Sequence, residues 1–399
     1  MSHKILQISQ KSVFPPFDGG KVAINAMADG LAKAGCTLHR FILDTPAHPL
    51  NQKHIAESEY VCFTAQLDTQ VRPMAALKNL LLESESYQLS RFSNDSIAQQ
   101  ILQLIEREQY TCIIAESIFS LKLIEPILSS ISCPIFLRAH NVEHLIWEGV
   151  AKQNSNFLKR FYLGIMTRRL RNDELRLWAK SNGILAISIT DENVMRKSGI
   201  TVPIQSVAVA TKIVHASAIN DIPKLHNLFH LGAMDWLPNS EGVRKFITQY
   251  WPAIRNTFPK IQLHLAGKAM PDDFITDTEN RIYIDGPVNN AYEYMQANGI
   301  MLVPVWSGSG IRIKIIEGLS LGKIIITTSV GAAGIDVQHG RELFICDTID
   351  EFIASIRLLH SEPQKAAEIS KNALTFAQQN YKAETLAKSV VEFIASVKK

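Results

Sequence analysis

Short apolar runs alternate along the chain with longer stretches in which apolar residues recur roughly every three or four positions, the pattern of buried strands alternating with amphipathic helices. Residues 4–9 predict a first strand, followed by a loop holding Pro15, Pro16, Phe17, Asp18, Gly19 and Gly20. The next helix carries the stripe Ile24, Met27, Leu31 and Ala34 and stops at Gly35. The rhythm continues through strands at 38–43 and 61–64, helices over 75–82 and 95–108, and strands at 112–115, 134–139 and 184–187. It then repeats. A strand at 228–231 precedes a helix striped with Val243, Phe246, Ile247, Tyr250 and Ile254, which Asn239 or Ser240 can cap. Strands at 261–266, 282–284, 300–305 and 344–347 follow, with helices over 311–321 and through the C-terminal residues. Alternation of this kind predicts an α/β protein in which parallel sheets are covered by helices.

A chain of 399 residues is too long for one average core, so two αβα domains are expected, residues 1–205 and 206–380, with a final helix over 381–399 packing back toward the first. The net charge of +3 gives no case for nucleic acid as the main partner. Cys36, Cys62, Cys112, Cys133 and Cys346 are odd in number, scattered and free of C-x-x-C, which fits reduced thiols in a cytoplasm. The N-terminal residues lack the apolar run of a signal peptide, and no segment is long and apolar enough to span a bilayer. The expected location is therefore the cytoplasm. One stretch complicates it: a helical pattern over 157–180 carries Lys159, Arg160, Arg168, Arg169, Arg171, Arg176 and Lys180. Such a helix is either a solvated face or a peripheral contact with anionic membrane.

The chemistry concentrates after the strand at 300–305. The loop Ser307-Gly308-Ser309-Gly310 can bring backbone amides close to a ligand, and the helix that follows favours an anion at its start. Lys314 and Glu317 lie three apart on that helix. A cation, an anion-binding helix start and a carboxylate one turn on are what a nucleoside diphosphate needs; an ordinary Lys–Glu pair is the alternative. Gly19 and Gly20 sit at another helix entrance, either receiving an anion or making a tight loop. No G-x-G-x-x-G follows the first strand, so a nicotinamide or flavin dinucleotide is disfavoured. His140-Asn141-Val142-Glu143-His144 follows a strand, at the sheet edge where open α/β folds bind ligands. The string also fits H-x-x-E-H, but a zinc motif needs both histidines on one helical face, and no metal is expected.

Taken in order, these motifs resemble the retaining glycosyltransferases of the GT-B type, specifically family 4. The matching residues are Pro16 to Gly20, Arg138 to His144, Gly232-Ala233-Met234-Asp235-Trp236 with Pro238 and Asn239, Ala266-Gly267-Lys268, Gly286-Pro287-Val288, and Gly308 to Lys314 with Glu317. The resemblance implies two Rossmann-like domains facing across a cleft, acceptor on the first and nucleotide-sugar donor on the second. It implies that Glu317 holds the donor ribose and that Gly308, Ser309, Gly310 and Ile311 present amides to sugar and diphosphate. Gly19 and Gly20 would approach the phosphates, His140 would lie beside the transferred sugar, and Val288 would read the base. Asp18, Asn141 and Glu143 are the acceptor-side candidates. No cofactor is implied beyond the donor, a UDP or GDP sugar, and the acceptor would be a glycan or lipid-linked hydroxyl in surface-polysaccharide, lipopolysaccharide or other glycoconjugate synthesis. Two departures stand out: Ser309 replaces the first acid of the E-x7-E motif, and the usual Arg and Lys after the first strand of the second domain are missing. Arg312 and Lys314 are the candidates to supply that positive charge. A non-catalytic binding subunit and a nucleotide-sugar 2-epimerase remain as other readings of the same fold.

Overall fold

A computed structural model describes residues 3–15, 19–153, 156–210, 225–308 and 310–397. Pro16, Phe17, Asp18 and Ser309 lie outside the described residues. The chain divides into two compact units, one formed by Met1–Ala210 with Ala383–Lys399, the other by Thr211–Lys382.

The first unit holds a parallel sheet of β1 (Lys4–Ser9), β2 (Thr37–Asp44), β3 (Val61–Gln66), β4 (Cys112–Ala115), β5 (Ile135–Ala139), β6 (Gly183–Ala186) and β7 (Ile204–Ser206). Their spatial order is β3-β2-β1-β4-β5-β6-β7. The strand order turns back between β1 and β4, which remain parallel, and the crevice beyond their carboxyl ends is where such sheets take ligands. Strands buried on both faces (Ile5, Leu6 and Ile8 are fully enclosed) explain why the sequence shows continuous apolar runs rather than alternation. This unit runs five residues past the expected boundary because β7 pairs with β6, Val207 N–H donates to the Ala186 carbonyl at 2.7 Å, and Val209 is buried. The final helix, Ala383–Ser396, packs its Ala387, Val390, Phe393 and Ile394 into the same core as Met27 and Leu31 of the helix Gly19–Lys33.

The second unit repeats the plan with β8 (Asn227–Leu231), β9 (Gln262–Ala266), β10 (Ile282–Gly286), β11 (Ile300–Val303), β12 (Ile325–Thr327) and β13 (Phe344–Ile345), ordered β10-β9-β8-β11-β12-β13. Its switch point falls between β8 and β11, so the loops after these strands, 232–236 and 304–312, share one crevice.

Three local expectations change. The helix after β8 starts at Leu237 with Pro238 in its first turn, so Asn239 and Ser240 lie inside it rather than capping it. The stripe through Ile254 is not one regular helix: a π turn, Phe246–Tyr250, separates Leu237–Lys245 from Trp251–Thr257, where Pro252 has no N–H to donate. The helix after the glycine loop begins at Ile313, not 311, because Gly308 and Gly310 take left-handed φ of 94° and 87° and Arg312 is non-helical at its start.

Candidate active site

In the first unit the functional side chains gather at the carboxyl ends of β1, β4 and β5. Glu116, the first residue after β4, is fully buried and accepts from Gln7 Nε2 at 2.5 Å, His140 Nε2 at 2.8 Å and Arg138 Nη1 at 3.4 Å. Arg138 also donates to the Ala23 carbonyl at 2.9 Å, tying β5 to the glycine-entry helix. Burial alone would push the Glu116 carboxyl up, but Arg138 and His140 outweigh it and hold it below its ordinary value. With Glu116 ionised, Nε2 of His140 carries the proton. Burial keeps the imidazole below its ordinary pKa although Glu116 opposes this, so the ring is neutral near pH 7 and Nδ1 is an acceptor. Sequence reasoning missed Glu116; a single acid closing an apolar strand was its only signal.

Asn141 and Glu143 follow at the start of the helix Glu143–Gln153. Asn141 Nδ2 donates to Glu143 Oε1 at 3.3 Å. Burial, with the nearby Glu174 carboxylate, pushes the Glu143 carboxyl up to about 7. His144 turns away from His140: its Nδ1 contacts Glu174 Oε2 at 2.6 Å, while Glu174 also accepts the backbone amides of Glu143 and His144 at 2.9 and 2.8 Å. Glu174 thus caps the helix that presents Asn141 and Glu143, and the two histidines serve separate carboxylates. Gly19 and Gly20 form the first two positions of the helix Gly19–Lys33.

In the second unit Lys314 Nζ donates to Asn239 Oδ1 at 3.0 Å, and Asn239 Nδ2 donates to the Ala233 carbonyl at 2.9 Å. The space these groups occupy exists because residue 232 is glycine. A Cβ there would lie 2.3 Å from Lys314 Nζ, 2.8 Å from Asn239 Nδ2 and 3.0 Å from His230 Nε2. His230 is fully buried; its Nδ1 pairs with the Leu302 carbonyl at 3.0 Å, and Nε2 is left without a partner. Burial and the Lys314 charge hold this imidazole well below its ordinary pKa, so it is neutral.

Lys314 and Glu317 form no ion pair, although each feels the other. Burial, reinforced by Arg312, lowers the Lys314 ammonium to about 7; burial raises the Glu317 carboxyl to about 7 against the pull of Lys314. Arg312 is buried, lies 4.8 Å from the Trp236 ring centroid and reaches the Ser307 carbonyl at 3.4 Å. Burial lowers its guanidinium to about 10. Gly308, Gly310, Ile311, Arg312, Lys314 and Glu317 thus lie together on the loop after β11 and the start of the helix Ile313–Ser320. Val288 sits on the neighbouring loop beyond β10, and Gly267 N–H donates to the Gly286 carbonyl there at 2.8 Å. Among the described residues no cluster of three or more His, Cys, Asp or Glu is arranged to hold a metal.

Residues 226–362, which include every strand of the second unit, match the sequence model of the family described as Glycosyl transferases group 1. A curated relative, the "Uncharacterized 44.6 kDa protein in cps region" of Klebsiella pneumoniae, is 23% identical over 268 residues, spanning 64% of this chain and 66% of that protein. Among solved structures, HepE of Anabaena in complex with UDP is 16% identical with a TM-score of 0.68, covering 98% of this chain and 100% of that one. Sucrose-phosphate synthase from Thermosynechococcus elongatus is 16% identical with a TM-score of 0.66, covering 98% of each chain. TarM is 10% identical with a TM-score of 0.70, covering 99% of each. The fold is GT-B: two parallel-sheet, Rossmann-like α/β domains, with the match to the group 1 sequence model confined to the second.

Proposed function

We propose that the chain is a retaining, family 4 glycosyltransferase that moves a sugar from a nucleotide diphosphate to an acceptor hydroxyl. The observation that carries this reading is the second unit's site: left-handed glycines before a helix start, a buried charged Arg312 beside a half-neutralised Lys314, and Glu317 one turn on. In this reading the amides of residues 308–311 and the two cations receive the diphosphate. Glu317 accepts from the ribose hydroxyls, and Val288 lies against the base. A diphosphate would restore the full charge on Lys314, whose free pKa of about 7 marks a site short of an anion.

Transfer passes through an oxocarbenium-like sugar as the C1–O bond to the diphosphate breaks. The acceptor oxygen forms the new bond on the same face, and the leaving phosphate takes its proton. Catalysis is then positioning plus stabilisation of the leaving group's charge, the work of Lys314, Arg312 and the helix start. In the first unit, His140 offers neutral Nδ1 to a sugar hydroxyl, with Glu116 as its positioning residue. Gly19 and Gly20 line the approach, and Asp18, Asn141 and Glu143 orient the acceptor.

UDP or GDP is the expected carrier; HepE has been solved with UDP-glucose. The cps region of the Klebsiella relative favours an acceptor in surface-polysaccharide synthesis. Proton NMR of the full chain with UDP- and GDP-sugars and an oligosaccharide acceptor tests the proposal. Consumption of one donor with the α-configured C1 kept in the product supports it. An inverted product contradicts retention, and inert donors contradict the enzyme.

A further inference from the structure

The long helix Phe157–Lys180 has two unlike halves. Its C-terminal half is fastened to the first unit: Leu170, Leu177 and Trp178 are buried. Arg176 pairs with Glu85, Glu125 and Asp173, and Lys180 pairs with Glu125. The N-terminal half leaves Phe157, Leu158 and Phe161 exposed at 77%, 75% and 64%. Glu174 caps the helix that starts at the carboxyl edge of the sheet, so it marks that level. At about 1.5 Å per residue, Phe161 and Phe157 lie roughly 20–25 Å farther out on the same side.

A second apolar strip is tethered to it. Arg169 donates to the carbonyls of Asn79 and Leu80 at 3.1 and 2.9 Å, fastening the C-terminal end of the helix Pro73–Leu82 to the middle of the long helix. That helix exposes Met74, Leu77 and Leu81 at helical spacing, with Lys78 among them. Neither residues 157–172 nor residues 69–82 contain a carboxylate. Among the described residues Lys78, Lys159, Arg160, Arg168 and Arg171 have no ion-pair partner. Glu148 on the adjoining helix is paired with Lys152 at 2.7 Å and leaves this charge uncompensated.

We infer that these two strips form a docking face for an anionic lipid bilayer, with Phe157, Leu158 and Phe161 entering the headgroup region and the cations meeting lipid phosphates. Aromatic and leucine side chains framed by unpaired Lys and Arg are what an interfacial segment needs. A second copy of the chain would bring the same uncompensated positive charge to the contact, which charge complementarity disfavours. The sugar-transfer reading is not needed for this surface. No described helix is long and apolar enough to cross a membrane.

The test is flotation of the full chain with vesicles of phosphatidylcholine plus phosphatidylglycerol, and of phosphatidylcholine alone. The protein should float with the first and not the second, less so at high salt. Each basic residue near an anionic surface contributes about fivefold to partitioning, so the combined Lys159→Ala, Arg160→Ala, Arg168→Ala variant should lose about 100-fold. Phe157→Ser, Leu158→Ser and Phe161→Ser together should abolish flotation while keeping the melting temperature, since these side chains are exposed. Wild type remaining with the soluble fraction overturns the inference, as does either variant floating like wild type. A dimer seen by sedimentation and lost in the serine variant also overturns it, assigning the face to self-association.

Discussion

The two units treat buried charge in opposite ways. In the first, the Glu116 carboxylate accepts from Gln7, Arg138 and His140 at once, and Glu174 meets two amides and His144, although Gln7 Oε1 and Arg138 Nε and Nη2 keep no partner. In the second, Lys314 and Glu317 lie on one helix without pairing, and both are pulled toward neutrality at about 7. A carboxylate met by its own protein partners positions groups and stabilises the fold. A site whose charges are unmet is costly until a ligand arrives, and it marks where the ligand's charge belongs.

The sharpest way to break this comparison is Lys314→Met. Loss of one charge aimed at the leaving group should lower kcat by about 100- to 1,000-fold. The same change should raise the stability of the free protein by about 1–2 kcal/mol, since it removes a desolvated cation. Urea melts and steady-state kinetics read both. Glu116→Ala should do the reverse for stability, costing about 3–5 kcal/mol, because Arg138 and His140 lose their only shared carboxylate. Two shifts of the same sign would erase the distinction between the units. Glu317→Gln should raise the donor KM by about 10- to 100-fold with little change in kcat, the loss expected for a charge-assisted hydrogen bond.

Gly232→Ala tests how the second site is held, since its Cβ would meet Lys314 Nζ at 2.3 Å. The lysine end can swing, so a kcat loss of about tenfold with unchanged donor KM is expected. The smallest effect is on pH. Diphosphate binding favours charged Lys314, so affinity should fall as pH rises above about 7, its free-state value. Ribose hydroxyls favour ionised Glu317, so affinity should also fall as pH drops below about 7. Calorimetric titration of UDP should give a bell centred near neutrality. Lys314→Met should flatten its alkaline limb and Glu317→Gln its acid limb.

Much of this was legible in the chain. Fully buried parallel strands write themselves as apolar runs, and glycines mark where backbone meets ligand, so the order of strands and the loop after β11 were readable. The broken helix through Phe246 was not, because apolar spacing does not register a π turn. Nor was the partnership of His140 with Glu116, or of His144 with Glu174: residues 24 and 30 positions apart meet only once the sheet is assembled. Asn239 resembled a helix cap by type, and its contact with Lys314 across 75 positions emerges only from packing. His230 carried no signal beyond a polar residue in an apolar run.

The most direct test of the account is a thermal-shift titration of the full chain with UDP, GDP and ADP, repeated on Lys314→Met and Glu317→Gln. At about 100 times its Kd a nucleotide stabilises by roughly 2.7 kcal/mol, enough to read. The account predicts a shift with UDP or GDP that both substitutions diminish. A wild-type shift left intact in both variants would place the nucleotide elsewhere, and no shift with any nucleotide would contradict a donor site in the second unit.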